Sequence, residues 1–511
     1  MARLVVLAAH MLRAVVWVLA ESHNSTKLVL PASGSAPTAC SLLYNKYPDR
    51  TLFGGSTGYT FETRTQYWSA RAYQDPACVF VPQNAEQVSH AVKTLTRTRT
   101  RFAVRGGGHM PVVGANSIGN DGVLLSMSGL DSLGLSKTRT VVSVGAGNRW
   151  RDVYSFLKPH SLAAVGGRVG GVGVGGLILG GGISFHSSQY GFAADNVVRL
   201  EAVLASGAVI EATADNDHAD LFWALKGGGN SFAIVTRFDL RTVPSPRVWV
   251  GISQYSDVDS TAYLDAVYNF GRHGAADAKA AIIPTILTFP STGRTAYAAA
   301  RFYDSETPPA VAFENFTAPV MAPVNDTYAL QSLAAHVLAA DILQPIGVRQ
   351  EFRVLSILVD RDAVSYVHDT FIAATGSLAG IAGLTASITF QPVTASFLRR
   401  GLCYGGPRPQ GVLAASAPYL WIVQNLSWLS SQDDAAAVAF IDHITAELEE
   451  GLVSKGVAGK YLYLNDAGSG QPVFQRYPPR NLKRLKAIRS RYDPRRVYTN
   501  LLTGGWKVLN A

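Results

Sequence analysis

The strongest constraint on the fold is a glycine-rich turn that directly follows a short apolar segment. Residues 102–104 predict a β-strand, which runs into the sequence Arg105-Gly-Gly-Gly-His109. The backbone N–H groups of three successive glycines are free to face an anion, and the Arg105 side chain adds positive charge. His109 stands at the edge of this turn with a nucleophilic imidazole. The alternative interpretation is a flexible turn with a hydrogen-bonded histidine.

A second glycine-rich tract covers residues 166–182 and contains the pattern GxGxxG at residues 171–176. A dinucleotide-binding turn of this pattern needs a following helix and an acidic residue about twenty positions further on. Residues 177–182 are too rich in glycine for a helix, and Glu201 falls inside a predicted strand rather than at its end. The dinucleotide interpretation is therefore disfavoured. We expect instead a loop that lets a flat ring system approach the backbone.

Chain length and composition predict more than one core. The chain has 511 residues, of which 48% are hydrophobic and 16% charged, so it is long and apolar enough for large cores. Residues 74–245 mix short strands and helices and predict an α+β domain. Residues 21–73 are expected to form an N-terminal arm and the start of this domain. Residues 246–455 alternate strands with alanine-rich helices and predict a second domain. Residues 456–511 form a C-terminal segment.

The N-terminus and the glycosylation sequons predict secretion. Residues 1–20 combine a basic start, an apolar run and a small residue at the end, as in a signal peptide, although His10 and Arg13 interrupt the run. No other stretch approaches the length and apolarity of a membrane span. N-x-Ser/Thr sequons occur at Asn24, Asn315, Asn325 and Asn425. Asn425 sits in an apolar stretch, which favours burial.

The three cysteines agree with an oxidising compartment. Cys40 and Cys78 flank the first globular segment and are the natural pair for a disulfide, which leaves Cys403 as a free thiol. The alternative is three unpaired thiols in the core.

Basic residues concentrate near the C-terminus, within a chain of formal net charge +9. Such a patch can bind nucleic acid. The apolar residues Leu482, Leu485 and Ile488 recur among these charges at three-residue spacing, which favours an amphipathic helix docked on the body of the protein. Proline at position 494 would end this helix. We therefore expect no nucleic-acid partner.

Taken together, these segments resemble the FAD-linked oxidases of the vanillyl-alcohol oxidase (PCMH-type FAD-binding) superfamily. The closest resemblance is to the fungal berberine-bridge-enzyme-like group. The matching segments, in chain order, are Pro82 with Glu86 and Val88, the turn Arg105 to His109, Val144 to Gly147, 166–182, Asp195 to Val197, 220–236, 461–466 and 491–494. No single segment is specific, but their order is.

The resemblance implies an α+β fold in which FAD lies between two α/β subdomains. A substrate domain with an antiparallel sheet covered by helices would close over the flavin, and residues 456–511 would return to the FAD domain. His109 would bond the 8α carbon of FAD. The implied cofactor-binding residues are Arg105, Gly106, Gly107, Gly108, His109, Gly167, Gly173, Asp195 and Val235, and no metal site is expected.

One departure from the family concerns the number of covalent bonds to the cofactor. Some relatives attach FAD a second time through a cysteine in the glycine tract, and this chain has Val169 at that position. A valine cannot form the thioether, so we expect a single covalent bond. Because double attachment accompanies open sugar-binding sites in this family, Val169 also argues against an oligosaccharide substrate.

The resemblance implies removal of a hydride from a carbon that bears oxygen or nitrogen, with molecular oxygen as the acceptor that reoxidises the flavin. Residues 391–411 are expected to line the substrate pocket. Tyr419, Tyr463 and Asn465 are the candidate catalytic residues, and the alternative for each tyrosine is a packed aromatic ring. An aspartate or glutamate base remains open. The predicted substrate is a small, mostly apolar metabolite of secondary-metabolite biosynthesis, and the predicted reaction is alcohol or amine oxidation, dehydrogenation or oxidative cyclisation. A secreted carbohydrate oxidase and a non-catalytic secreted glycoprotein are the alternatives.

Overall fold

Three β-sheets organise the computed structural model, which describes residues 35–256, 260–309 and 311–511. The predicted signal peptide at 1–20 and the sequon at Asn24 lie outside the described residues. The α-helices of the described chain are α1 (Ser35–Lys46), α2 (Thr57–Thr60), α3 (Ala85–Thr98), α4 (Trp150–Leu157), α5 (Val174–Leu179), α6 (Ser187–Tyr190), α7 (Ala219–Leu225), α8 (Ser260–His273), α9 (Glu314–Thr317), α10 (Leu333–Asp341), α11 (Arg361–Thr375), α12 (Ala395–Gly405), α13 (Asp434–Ser454), α14 (Pro479–Tyr492) and α15 (Val497–Asn500).

The first sheet carries the glycine-rich turn at the end of its edge strand. Its strands are β1 (Thr51–Leu52), β2 (Cys78–Phe80), β3 (Arg101–Arg105) and β4 (Gly122–Ser126), in the order β1-β2-β4-β3. Strand β4 is parallel to both β2 and β3, and α3 connects β2 to β3. Asn84 caps α3, because its side chain accepts the backbone N–H of Gln87. The Gln87 side chain in turn accepts the backbone N–H of Gln83.

The second sheet is antiparallel, and its strands come before and after the second glycine tract in the sequence. Its strands are β5 (Leu133–Leu135), β6 (Val141–Gly145), β7 (Leu162–Ala164), β8 (Val197–Val203), β9 (Val209–Ala212) and β10 (Ile234–Pro244). The order is β5-β6-β10-β8-β9, with β7 paired to the far end of β10. A hairpin at Ser206 and Gly207 joins β8 to β9.

The third sheet has eight strands and is antiparallel throughout. Its strands are β11 (Val248–Tyr255), β12 (Ala280–Phe289), β13 (Arg294–Tyr303), β14 (Asn325–Asp326), β15 (Ala329–Gln331), β16 (Arg349–Leu358), β17 (Thr385–Val393) and β18 (Tyr419–Trp428), in the order β14-β11-β13-β12-β17-β18-β16 with β15 beside β11. The α+β class, with an antiparallel sheet covered by helices, is therefore confirmed.

The two faces of the third sheet have different surroundings because successive side chains of a strand point to opposite faces. One face packs its apolar side chains, such as Ile286 and Ile388, into a core shared with α8, α11 and α13. The other face presents Thr285, Leu287 and Thr389 to a cavity. Substitutions on the cavity face therefore leave the helix-covered core unchanged.

The C-terminal segment docks on the first two sheets. Leu485 and Ile488 of α14 are buried, and the helix ends at Tyr492, so the predicted docked amphipathic helix is confirmed. The Arg484 guanidinium lies 4.1 Å from the centre of the Trp223 ring. Beyond α14, Phe102 of β3 donates its backbone N–H to the carbonyl of Leu501 at 2.8 Å.

The predicted disulfide between Cys40 and Cys78 is confirmed. It joins α1 to β2, and both residues are fully buried. Cys403 is a free, exposed thiol on α12. Across the part of the chain that the structure describes, no helix combines the length and apolarity needed to cross a membrane.

Candidate active site

A cavity of about 840 Å³ lies between the glycine-rich loops and the open face of the third sheet. One side is formed by the turn after β3 and by residues 169–180 of the glycine tract. The opposite side is formed by β11 to β13 and β16 to β18. The C-terminal residues Tyr463, Asn465 and Asp466 line it between these two sides. The described chain thus encloses one space with loop backbone on one side and side chains on the other.

Gly107 and Gly173 bring the two glycine loops into direct backbone contact. A Cβ atom on Gly107 would lie 2.4 Å from the backbone nitrogen of Gly173, and a Cβ atom on Gly173 would lie 2.4 Å from that of Gly107. Both distances are far below van der Waals contact, so neither position accepts a side chain.

Gly106 and Gly176 leave open space beside the backbone. No protein atom lies within 4 Å of a Cβ built on Gly176, and the nearest atom to one on Gly106 is the Ala146 carbonyl oxygen at 3.7 Å. Both residues line the cavity. We call the space beside these glycines the glycine cradle; side chains at these positions would fill it. The cradle fits a flat ring system or a phosphate chain lying against the loops. The residues present therefore fit FAD.

A short helix, α5, covers the end of the GxGxxG tract and reaches Leu179, so our expectation that residues 177–182 contain no helix was wrong for residues 177–179. Gly175 and Gly176 lie inside α5, whose Val174 and Ile178 are fully buried. Tertiary packing of this apolar face outweighs the low helix propensity of glycine. The loop before the helix is anchored because Trp150 donates its backbone N–H to the Val172 carbonyl at 3.0 Å.

Arg105 does not add positive charge to the cavity, which corrects the sequence-based prediction. Its side chain is fully buried and forms an ion pair with Glu62. Ser126 and Ser128 donate hydroxyl hydrogen bonds to the same carboxylate at 2.7 and 2.8 Å. Arg105 also donates to the carbonyl of Gly106 at 3.0 Å. A buried charge is tolerated only when it is paired in this way, and here the pair supports the turn from behind.

His109 lies on the cavity wall, stacked on an indole. The ring centres of His109 and Trp68 are 4.5 Å apart and the planes differ by 9°. Burial, reinforced by the positive charge of Arg149, lowers the pKa of His109 to about 3. The imidazole is therefore neutral at physiological pH, which is the nucleophilic form. Arg149 itself is fixed by hydrogen bonds to the backbone and side-chain oxygens of Gln66.

The structure brings most of the sequence-predicted site residues to the cavity and leaves four away from it. Those on the wall are Gly106, Gly107, Gly108, His109, Val169, Gly173, Val235, Tyr463 and Asn465. Those away from it are Arg105, Gly167, Asp195 and Tyr419.

Three of these four residues have identifiable structural roles. Gly167 packs under Trp150, whose ring would lie 2.5 Å from a Cβ there. Asp195 is fully buried in an ion pair with Arg408 at 2.9 Å. Tyr419 begins β18 and packs beside the core. A cofactor contact from Asp195 and a catalytic role for Tyr419 therefore lack support in this geometry.

Tyr463 and Asn465 line the cavity as hydrogen-bonding groups. The Tyr463 hydroxyl accepts the backbone N–H of Ile183 and the Asn465 side-chain amide, each at 3.0 Å. Burial raises the pKa of Tyr463, so the phenol stays protonated and can donate but not act as a base. The Asn465 amide also donates to the Leu177 carbonyl at 2.9 Å, which ties this segment to α5.

The sequence did not identify Arg168 and Asp466 as site residues. Of residues 391–411, Gln391 is the one that lines the cavity. Its side-chain nitrogen donates to Asp466 Oδ2 at 2.7 Å, and its oxygen accepts from Arg168. Burial raises the pKa of Asp466 against the opposing effects of Gln391 and Arg168. The alternation of β17 could have indicated Gln391, because it shares a face with Thr389, but no local signal assigned partners to it.

The sequon at Asn425 faces inward, as the apolar stretch around it suggested. Asn425 lines the cavity, and its side-chain nitrogen donates to Gln350 at 3.2 Å. Its side-chain oxygen is buried without a hydrogen-bond partner. In the described chain, no group of three or more His, Cys, Asp or Glu side chains is placed to hold a metal ion.

Comparison with known proteins agrees with this geometry. Residues 76–213 match the family model described as an FAD binding domain. The chain is 35% identical over 511 residues to "FAD-dependent monooxygenase prx3" of Penicillium roqueforti, with 96% of this chain and 97% of that protein covered. It is 31% identical over 481 residues to "Bifunctional solanapyrone synthase" of Alternaria solani, with 93% and 90% covered.

Solved structures share the fold at low sequence identity. 6-Hydroxy-D-nicotine oxidase from Arthrobacter nicotinovorans superposes with a TM-score of 0.73 at 20% identity, covering 93% of this chain and 99% of that one. A single-residue variant of berberine bridge enzyme gives 0.71 at 17%, covering 92% and 99%. The fold and cavity define an FAD-dependent oxidoreductase. The chain belongs to the family of FAD-linked oxidoreductases that includes these fungal relatives, and it shares the fold of 6-hydroxy-D-nicotine oxidase and berberine bridge enzyme.

The two kinds of glycine in the cradle make a matched test. Gly173→Ala should lower the free energy of unfolding by about 1–3 kcal/mol, because its methyl group overpacks against Gly107. Gly176→Ala should raise the Tm of the apoprotein slightly, because alanine has the higher helix propensity. It should weaken FAD binding, because its methyl group enters open space beside the cavity. Thermal unfolding and flavin titration of both variants check this. Wild-type FAD affinity in Gly176→Ala would contradict the cradle.

Proposed function

We propose that this chain is an FAD-linked oxidase that removes a hydride from a carbon bearing oxygen or nitrogen in a small, mostly apolar metabolite of fungal secondary metabolism. The observation that carries the proposal is the single cavity shared by the glycine cradle with His109 and by the group of Arg168, Gln391 and Asp466. Cofactor-binding backbone and proton-handling side chains thus face the same space.

FAD would be held by the loop backbone at Gly106 to Gly108 and Gly173, by Val235, and by a covalent bond from His109. When bound, FAD supplies the acceptor for the hydride. The neutral imidazole of His109 supports attachment at this residue, and Trp68 holds its ring plane. Val169 stands on the cavity wall in place of a second attachment residue, which supports a single bond.

The open face of the third sheet would select the substrate. Ile252, Ile283 and Leu287 make much of this wall apolar, and the hydroxyls of Thr285 and Thr389 bond to each other at 3.0 Å in its middle. Such a wall suits a neutral ligand with few oxygen atoms. The fungal relatives, a solanapyrone synthase and an FAD-dependent monooxygenase, support secondary metabolism as the context.

Covalent attachment has a direct test. Acid precipitation of the wild-type protein should leave flavin in the washed pellet, and His109→Ala should release it to the supernatant, because the variant lacks the attachment residue. Absorbance and fluorescence of both fractions measure this. Flavin in the supernatant of the wild type would contradict the covalent bond while leaving the FAD site intact.

Oxidase activity is tested with benzyl alcohol, cyclohexanol, hexanol, benzylamine and glucose. We expect an apolar alcohol or amine to bleach the flavin under anaerobic conditions and to release hydrogen peroxide in air. Oxygen label incorporated into the product without peroxide would indicate monooxygenation instead. Oxidation of glucose alone would favour the carbohydrate oxidase, and bound flavin that no compound reduces would favour the non-catalytic glycoprotein.

We also propose that the protein enters the secretory pathway, supported by the Cys40–Cys78 disulfide and by the exposed sequons Asn315 and Asn325. After expression through that pathway, N-glycosidase treatment should reduce the mass of the wild type. The double variant Asn315→Gln with Asn325→Gln should lose most of this change. Asn425→Gln is the control, because a side chain on the cavity wall is inaccessible to glycosylation; a glycan at Asn425 would contradict the described geometry.

A further inference from the structure

Asp466 is the one carboxylate among the described residues that line the cavity. It lies directly after Asn465 in the C-terminal segment and opposite β17. Oxidation of an alcohol by hydride loss also releases the hydroxyl proton, which a positioned side chain can accept. A carboxylate that lines the substrate cavity is a suitable acceptor if its orientation is fixed.

Gln391 fixes the Asp466 carboxylate, and Arg168 fixes Gln391. A guanidinium has only donors, so the oxygen of the Gln391 amide must face Arg168. The amide nitrogen must then face Asp466, where it donates to Oδ2 at 2.7 Å. The chain of hydrogen bonds therefore has one direction, from Arg168 through Gln391 to the carboxylate.

The other polar groups on the wall are less suitable proton acceptors. The Tyr463 hydroxyl already accepts two hydrogen bonds and stays protonated, and the Asn465 amide is not basic. His109 is assigned to cofactor attachment. His336 on α10 also lines the cavity, and burial lowers its pKa to about 4, so it is the competing candidate that an experiment must distinguish.

We propose that Asp466 is the proton acceptor of the reaction, with Gln391 and Arg168 as its positioning residues; this rests on the proposed function. In the oxidation of an alcohol, the carbon–hydrogen bond breaks and its electron pair leaves with the hydrogen as hydride to FAD, the oxidant. The oxygen–hydrogen bond gives its proton to the Asp466 carboxylate, and a carbon–oxygen double bond forms.

The electrostatics of the group predict the direction of a pH effect. Burial raises the pKa of Asp466, while the hydrogen bond from Gln391 and the charge of Arg168 hold it down. Only the ionised carboxylate accepts a proton, so the reaction slows as the pH falls through this raised pKa. Gln391→Leu removes one lowering influence, so it should move the acid limb to higher pH.

The test compares Asp466→Asn and Asp466→Ala with the exposed matched control Asp131→Asn. The probe is whichever of benzyl alcohol, cyclohexanol and hexanol bleaches the wild-type flavin fastest. We expect Asp466→Asn to slow anaerobic flavin reduction by about 10²–10⁴-fold, with flavin content and Tm unchanged. Sodium formate should partly restore the rate of Asp466→Ala, because it replaces the missing carboxylate, whereas a purely structural defect would not respond.

A substrate-free measurement follows the carboxyl group itself. One component of the titrating infrared carboxyl absorption of the wild type should be missing in Asp466→Asn, and the same component should shift to higher pH in Gln391→Leu. Wild-type reduction rates in Asp466→Asn would overturn the assignment, as would loss of the acid limb in His336→Gln instead. Failure of the wild-type flavin to react with any panel compound would contradict the proposed function, which is a different result from reduction that survives in Asp466→Asn.

Discussion

The backbone contact between Gly107 and Gly173 is the constraint on which the rest of the site depends. It joins the turn after β3 in the first sheet to the tract before α5, and it allows no side chain on either loop at this point. Because the loops meet backbone to backbone, the neighbouring Gly106 and Gly176 open onto a common cavity. His109 is held at its wall because Gly108 accepts the backbone N–H of Trp68, whose indole stacks on the imidazole. The position of the cofactor cradle and that of the attachment residue thus both depend on the close approach of Gly107 and Gly173.

Charged residues near the cavity divide into those that support it and those that face it. Arg105 with Glu62, and Asp195 with Arg408, are buried pairs that satisfy each other behind the wall. Charges removed from water require such partners, so the charged residues that the sequence suggested as ligand contacts are the ones least available to a ligand. Arg168 and Asp466 differ because a neutral amide stands between them. This arrangement positions both groups and leaves the carboxylate uncommitted to a direct ion pair.

Much of the fold followed from sequence because its signals are local. The strand ahead of the RGGGH turn and the apolar stripe of α14 each depend on residues a few positions apart. The direction of the Arg105 side chain was not predictable, since it depends on Glu62, 43 residues away. Arg168, Gln391 and Asp466 meet across separations of 223 and 75 residues. A contact of that kind is set by the packing of whole sheets, which no short pattern encodes.

The positions of Arg168, Gln391 and Asp466 also limit how far the glycine cradle and the substrate wall can vary independently of each other. The period-2 alternation of β12, β17 and β18 separates cavity side chains from the helix-covered core, so the substrate wall can change without loss of stability. The glycine cradle, in contrast, tolerates few substitutions because of the backbone contact at Gly107. Arg168, however, belongs to the cradle tract and bonds to Gln391 on the wall, and Gln391 in turn holds Asp466 on the C-terminal segment. A change at position 391 therefore alters both the shape of the wall and the group that positions the carboxylate, so it affects substrate specificity and proton transfer together. A change at Thr285 or Leu287 alters the shape of the wall alone.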